Sequence, residues 1–379
     1  MSTIQEIQQF TTAVHFQELN TEEYAPSQLG SHIQQISAST DMDTLDVIII
    51  GCGEFRGQKR SATISNGPDK IREEFYKLHY WHADVKIGDL GNIMEGKTLA
   101  DTRAALKTVL GELHAMGKKI LVLGGSHDLT LQQYEVYKDV EEIIDFTVVD
   151  MLADMAEGNG ANYDDYLMTA LTSTPNFVRH FNLIGFQSYF VNPQLIETLD
   201  KLRFDCLRVG KAREDIDQIE PILRGTHLLS MDINAIRYSD APVNKMASPN
   251  GFFGDEMCKI TRFAGMSPVL QSFGLYGYIP EHDHESITAK LIAQMLWYYI
   301  DGVNVGKTEA SLDDRDDFFE YQMTFTDYNS LFLKSKRTNR WWMQLPEGRF
   351  IPCSHKDYIV ACHNEMPEIW LREMERIVG

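Results

Sequence analysis

Short apolar runs alternate with longer stretches of helical spacing along most of this chain. Leu45-Asp-Val-Ile-Ile-Ile-Gly51 is a compact β-branched run closed by glycine, the pattern of a buried parallel strand and its turn. Residues 67–79 follow with Pro68 near the start, which suits the first turn of a helix. The alternation then repeats. Residues 99–117 carry Leu99, Ala104, Leu106, Val109, Leu110 and Leu113 at helical spacing, and Lys119–Gly125 is an apolar strand ending in two glycines. The pattern predicts helices over 128–138, 193–203, 254–265 and 286–301. It predicts strands over 146–150, 181–185, 206–209 and 227–232, and one more within 269–278. Strand–helix alternation of this kind predicts an α/β fold: a central, mainly parallel, doubly wound sheet with helices on both faces, in three layers.

The pattern changes at both ends. Residues 1–44 are a peripheral segment, a short helix-like start followed by a Ser/Thr/Gln-rich stretch. Residues 45–304 carry the alternating pattern and form the main domain. In residues 305–379 the charge cluster Asp313–Asp317 gives way to two alternating runs, 325–334 and 340–345, which predict a hairpin, and then to a helix over 366–377. This last part is expected as an extension packed on the main domain.

Composition narrows the possible partners. With 35 basic and 55 acidic residues the formal net charge is −20, which repels nucleic acid and anionic membrane at long range. The N-terminus lacks the basic-then-apolar order of a signal peptide, and no apolar run approaches the roughly 20 residues of a membrane span. The five cysteines are widely spaced and form no C-x-x-C pair, so reduced thiols and a cytoplasmic location are expected.

Three segments carry the candidate chemistry, each just after a predicted strand: Gly124-Gly125-Ser126-His127-Asp128, Asp150-Met-Leu-Ala-Asp154, and Ser230-Met-Asp232-Ile-Asn234. In doubly wound sheets ligands bind beyond the carboxyl ends of the strands. An imidazole and carboxylates gathered there are the donor set of a hard or borderline divalent ion such as Mn2+. The expected metal ligands are therefore His127, Asp150, Asp154 and Asp232. A single strand-end aspartate caps a helix about as often as it binds anything, so the weight falls on the three segments together. Other polar motifs read as structural. Cys52 is expected as a small buried thiol, and His282 and His284 as part of a loop before a helix. Trp341 and Trp342 are expected in C-terminal packing. Gly51-Cys-Gly53 lacks the third glycine of a dinucleotide-binding turn.

In order and spacing these segments resemble the ureohydrolase family of arginase, agmatinase and formimidoylglutamase, whose pattern is G-G-[DGS]-H, D-x-H-x-D and S-x-D-x-D. Gly67-Pro68…Ile71-Arg72, Asp89-Leu-Gly-Asn-Ile93 and the Gly-rich turn Ser248–Glu256 resemble flanking features of the family. The long C-terminal extension and the turn ending in Pro242 look most like the bacterial formimidoylglutamase-like branch. The resemblance spans about residues 45–300 and implies an arginase-type fold and two Mn2+ ions around a bridging water that attacks a guanidinium or amidine carbon.

Three departures follow from the same resemblance. The histidine of the second motif is Leu152, the last aspartate of the third is Asn234, and the substrate-pairing glutamate of a later Glu-x-Asn-Pro segment is Gly277. One metal site is therefore expected intact and its partner lost. No histidine stands between Asp154 and Phe177, where the family often carries one; Glu157, Asp164 and Asp165 are carboxylates available there. The expected function is hydrolysis of a linear amidine or guanidine C–N bond on a small-molecule substrate. Asp150 and Asp232 would orient the water, with hydrogen bonds from Asp128 or Glu256. The alternative is a catalytically degenerate, metal- or ligand-binding member. A homo-oligomer is expected in either case, since family members commonly associate.

Overall fold

The computed structural model describes residues 3–14, 23–58, 65–155, 165–243, 248–326 and 328–378. Its centre is a ten-stranded sheet. The strands are β1 (Thr11–Thr12), β2 (Gln34–Gln35), β3 (Val47–Cys52), β4 (Ile87–Ile93), β5 (Lys119–Gly124), β6 (Ile144–Val149), β7 (Val178–Phe186), β8 (Asp205–Arg208), β9 (Leu228–Asp232) and β10 (Ser272–Tyr276). Their order is β1-β4-β3-β5-β10-β9-β6-β7-β8, with β2 also on β4. All pairings are parallel except β1 with β4. This is the doubly wound α/β arrangement that the alternation predicts.

The near-continuous apolar strands are explained by burial on both sides. Val47 and Ile49 of β3, with Leu121 and Leu123 of β5, face helices Gly67–Phe75, Gly254–Gly265 and Ile287–Lys307 in one core. Ile48, Ile50, Ile120 and Val122 face the opposite way, against helix Leu99–Ala115. Phe146 and Val148 of β6 continue that second layer against helices Thr130–Asp139 and Tyr166–Thr172. Helix Gly67–Phe75 stops short of residue 79, and its Arg72 side chain turns into the sheet. Its guanidinium meets Asp89 of β4 with Nε 2.7 Å from Oδ2 and Nη2 3.0 Å from Oδ1. The side chains of Arg72 and Asp89 are both buried, so each supplies the countercharge that makes the other's burial tolerable.

The C-terminal segment differs from the expected hairpin. It forms a four-stranded antiparallel sheet, β11 (Phe318–Phe325), β12 (Tyr328–Ser335), β13 (Trp341–Gln344) and β14 (Phe350–Cys353), followed by helices His355–Cys362 and Glu368–Val378. The two strands that sequence alone misses are the edges. β11 follows directly on the charged 3-10 turn Arg315–Asp317, and β14 is four residues long and contains Pro352, which an edge strand tolerates. Trp341 and Trp342 are both buried as packing residues: Trp341 stacks on Tyr358 and Tyr321, and the Arg224 guanidinium lies 4.4 Å from the Trp342 ring centroid.

Arg340 is the polar pin of this seam. It is buried, with Nε 3.0 Å from Glu309 Oε2 and Nη1 donating to the Met266 carbonyl at 3.0 Å. Removing the guanidinium takes the countercharge from Glu309, which keeps only the hydroxyls of Ser335 and Thr338 and the Ala310 amide in a largely desolvated place, a change that costs up to about 3–5 kcal/mol. Arg340→Ala should therefore lower the urea-unfolding free energy by about 3 kcal/mol and make residues 318–378 the first target of limited proteolysis. Unchanged stability would show that the seam does not depend on this residue.

Candidate metal centre

Strand register brings the candidate residues to one level. Val149 pairs with Met231, Met231 with Leu275, and Leu275 with Leu123. The next residue on each of the four strands, Asp150, Asp232, Tyr276 and Gly124, therefore emerges at the same carboxyl edge. These strands, β5, β10, β9 and β6, are consecutive in the sheet. After β5, glycines 124 and 125 let the chain turn where a side chain could not fit. A Cβ on Gly124 would lie 2.1 Å from the Tyr276 ring, and one on Gly125 would lie 2.2 Å from the Glu54 carbonyl oxygen. The turn delivers His127 to the space in front of β9 and β6.

There the structure brings together all four expected ligands. His127 Nδ1 lies 3.2 Å from Asp150 Oδ2, 3.3 Å from Asp154 Oδ2 and 3.5 Å from Asp232 Oδ2. His127 and the three aspartates are at most 4% exposed. For His127, Asp150 and Asp232 the ligand-capable atoms all fall within 4.8 Å of one another. The two strand-end carboxylates are aimed by their own backbones. Asp150 Oδ1 accepts from the Leu152 amide at 3.2 Å, and Asp232 Oδ1 accepts from the Asn234 amide at 2.7 Å. Each anchored Oδ1 leaves Oδ2 turned inward, and the Oδ2 atoms of Asp150, Asp154 and Asp232 have no hydrogen-bond partner. Behind the imidazole, Nε2 sits 2.8 Å from Ser230 Oγ, which in turn is 2.6 Å from Thr130 Oγ1. A partner on Nε2 fixes the ring so that Nδ1 faces the carboxylates.

The electrostatics are those of anions crowded out of water. Burial raises Asp232 to about 8, with the Asp150 charge adding to the rise. Burial likewise raises Asp154 to about 7. For His127 burial works downward, but the Asp150 and Asp154 carboxylates close beside Nδ1 and the Asp232 charge overcome it and lift the imidazole to about 10. The imidazole nitrogen and the inward oxygens of Asp150 and Asp232 form a compact buried donor set that fits one hard or borderline divalent cation, with Asp154 Oδ2 beside it at 3.3 Å from Nδ1.

The second-site positions offer less. Leu152 has no donor atom. Asn234 is buried, its backbone amide donates to Asp232 Oδ1, and its side chain brings a neutral carboxamide oxygen in place of a carboxylate. Gly277 follows β10 at φ +83°, and a Cβ there would lie 2.7 Å from Asp232 Oδ1. A glutamate at 277 would therefore displace the Asp232 carboxylate as well as strain the backbone. Asp128 is buried beside the cluster but is bound by Ser126 Oγ and Arg103. Glu256 caps helix Gly254–Gly265 by accepting from the Phe253 amide at 2.7 Å, and it pairs with Arg213 at 3.0 Å. Glu157 and Asp164 lie outside the described residues, and Asp165 is buried at the start of helix Tyr166–Thr172.

Away from the cluster, His282 contacts the Val243 carbonyl in the 3-10 turns before helix Ile287–Lys307. Cys52 is fully buried, and burial pushes its thiol up to about 12, which makes it a poor nucleophile. No helix among the described residues is long and apolar enough to cross a membrane.

One residue of the site was not anticipated. Tyr166 is fully buried, and its hydroxyl lies 3.1 Å from His127 Nε2 and 3.4 Å from Nδ1. Its aromatic ring centroid is 5.0 Å from that of His127. The sequence signal was indirect, the missing histidine between Asp154 and Phe177.

Comparison with known proteins agrees with this geometry. The model of the arginase family matches residues 45–301. A formimidoylglutamase of Hahella chejuensis is 24% identical over 288 residues, covering 69% of this chain and 87% of that protein. Among solved structures, the formimidoylglutamase of Bacillus subtilis superposes with a TM-score of 0.67 at 15% identity, covering 75% of this chain and 95% of the other. The formiminoglutamase of Trypanosoma cruzi with Mn2+ gives a TM-score of 0.65 at 16% identity, covering 73% and 98%. The agmatine ureohydrolase of Thermoplasma volcanium gives 0.60 at 18%, covering 76% and 98%. With the family model matched over residues 45–301, more than half of the chain, the chain belongs to the arginase family.

Proposed function

We propose that this protein is a formimidoylglutamase-like, metal-dependent hydrolase of linear amidine C–N bonds that works with one divalent ion, Mn2+ or a close relative, held by His127, Asp150, Asp154 and Asp232. The observation that carries this reading is the convergence of three unpartnered, buried Oδ2 atoms on His127 Nδ1. A divalent ion supplies Lewis acidity, making water a competent nucleophile near neutral pH. The remaining work falls to the chain. Asp150 and Asp232 orient the attacking water, their own positions held by the amides of Leu152 and Asn234. Ser230 keeps the imidazole in register. Glu256 supports the turn 250–256 through its cap and Arg213.

A second reading, a family member that binds a metal or ligand without turnover, is favoured by one specific observation. Gly277 packs so closely on Asp232 that no carboxylate can be placed there to pair with a cationic substrate. Turnover assays in saturating Mn2+ with formiminoglutamate, arginine, agmatine and guanidine separate the two. Hydrolysis of formiminoglutamate is the expected result, and inactivity on all four supports the second reading.

Metal content tests the site directly. Elemental analysis of Mn2+-loaded protein should give one ion per chain, and two would overturn the single-site proposal. At a free Mn2+ concentration 100 times the dissociation constant, loading should stabilise the fold by about 2.7 kcal/mol. Asp232→Asn should abolish that gain in a thermal-shift measurement.

The double change Leu152→His with Asn234→Asp should raise the content to two ions per chain. A content still at one would show that more than these two donors separates this site from a two-metal centre.

A further inference from the structure

We propose that Gln133 is a positioning residue of the metal centre: it sets the direction of a buried hydrogen-bond chain, through Tyr276, Thr130 and Ser230, that leaves His127 Nδ1 bare for the ion. This inference rests on the metal-site reading above. Gln133 Nε2 donates to Ser272 Oγ at 2.7 Å, and Gln133 Oε1 accepts from the Tyr276 hydroxyl. The Tyr276 oxygen is hydrogen-bonded in turn by the Thr130 side chain. Thr130 Oγ1 lies 2.6 Å from Ser230 Oγ, which lies 2.8 Å from His127 Nε2. Every residue of the chain is buried, so water offers no substitute partner.

The backbone specifies this arrangement. Thr130 and Gln133 stand one turn apart on helix Thr130–Asp139 and share a face. Ser272, Gly274 and Tyr276 alternate onto one face of β10, and Gly274 pairs with Ser230 of β9. Glycine leaves the gap that the chain occupies: a Cβ at 274 would lie 2.5 Å from both Gln133 Oε1 and the Tyr276 hydroxyl oxygen.

Hydroxyl groups both donate and accept, so three of them in a row could run either way. A carboxamide oxygen only accepts. With the Tyr276 proton given to Gln133, the Tyr276 oxygen accepts from Thr130, Thr130 accepts from Ser230, and Ser230 accepts from His127 Nε2–H. The Nδ1 lone pair then faces the carboxylate oxygens, where the ion would sit. In the reverse direction Ser230 would donate to Nε2, and a neutral ring would carry its N–H on Nδ1, which blocks the ion. The Tyr166 hydroxyl does not compete for the in-plane Nε2–H, because its near-equal distances of 3.1 and 3.4 Å to the two ring nitrogens place it over the ring face.

Mn2+ affinity of the full-length protein, measured by titration calorimetry, tests the chain. Gln133→Met keeps the volume but removes the acceptor, and it should weaken binding about tenfold or more. Gln133→Glu keeps an accepting oxygen toward Tyr276 and should restore wild-type affinity. Tyr276→Phe cuts the same chain one link nearer the imidazole and should match Gln133→Met. The double variant Gln133→Met with Tyr276→Phe should bind no more weakly than the weaker single one, because a chain already cut has no direction left to lose. Additive losses, or a Gln133→Glu variant as weak as Gln133→Met, would show local packing damage and overturn the assignment. Unchanged affinity in Gln133→Met overturns it too, while leaving the metal site standing. Wild-type protein that binds no Mn2+ overturns the metal-site reading and this inference with it. If Gln133→Met does not fold, Tyr276→Phe decides alone, and wild-type affinity there overturns the chain.

Discussion

Three carboxylate oxygens stand within 3.5 Å of one imidazole nitrogen, in a space closed to solvent. Such crowding opposes folding, since buried like charges raise one another's free energy. It persists because each participant is held by an element that is stable for other reasons. Asp150 and Asp232 end strands whose apolar residues are buried on both faces. His127 is carried by a glycine turn packed against Tyr276 and the Glu54 backbone. The hydrophobic layers therefore support the electrostatic strain at the edge of the sheet, and a divalent cation is the group that would relieve it.

A second buried charge cluster shows the contrasting solution. Arg72 is as deeply buried as His127, but Asp89 meets its guanidinium with both oxygens, and Asn92 and the Gly91 carbonyl take further N–H groups. Nothing there asks for an ion. The two clusters lie in one sheet and use similar residue types, yet one is complete within the chain and the other leaves three carboxylate oxygens unpartnered. Completeness of hydrogen bonding, more than burial or charge, separates a structural polar cluster from a candidate binding site.

Much of this was legible in the chain. A doubly wound sheet buries its strands on both faces, so Val47–Cys52 and Lys119–Gly124 stand out as unbroken apolar runs, and their turns fall where polar residues begin. The ligand segments were readable for the same reason: His127, Asp150 and Asp232 each follow such a run directly. Less regular parts were harder. β11 adjoins a charge cluster that masks where it begins, and β14 is a four-residue edge strand with a proline. Tyr166 was legible only indirectly, through the histidine missing between Asp154 and Phe177. It reaches His127 from helix Tyr166–Thr172 by tertiary packing, and no local spacing in the sequence links the two residues.

Gly277 ties the lost features of the site together. Its positive φ and the 2.7 Å approach of its Cβ position to Asp232 Oδ1 mean that this backbone and the present Asp232 rotamer depend on each other. Asp232 Oδ1 is also the acceptor of the Asn234 amide. A substitution at 277 would push on Asp232, and through it on the turn that carries Asn234. The two departures from the family pattern on β9 and β10 are thus mechanically coupled, whereas Leu152 lies beyond β6 and touches this unit through its amide on Asp150. Restoring donors at 152 and 234 leaves the Asp232–Gly277 contact intact, but restoring a substrate-pairing carboxylate at 277 does not. The packing at position 277 and the side chains at 152 and 234 are therefore separable in this scaffold.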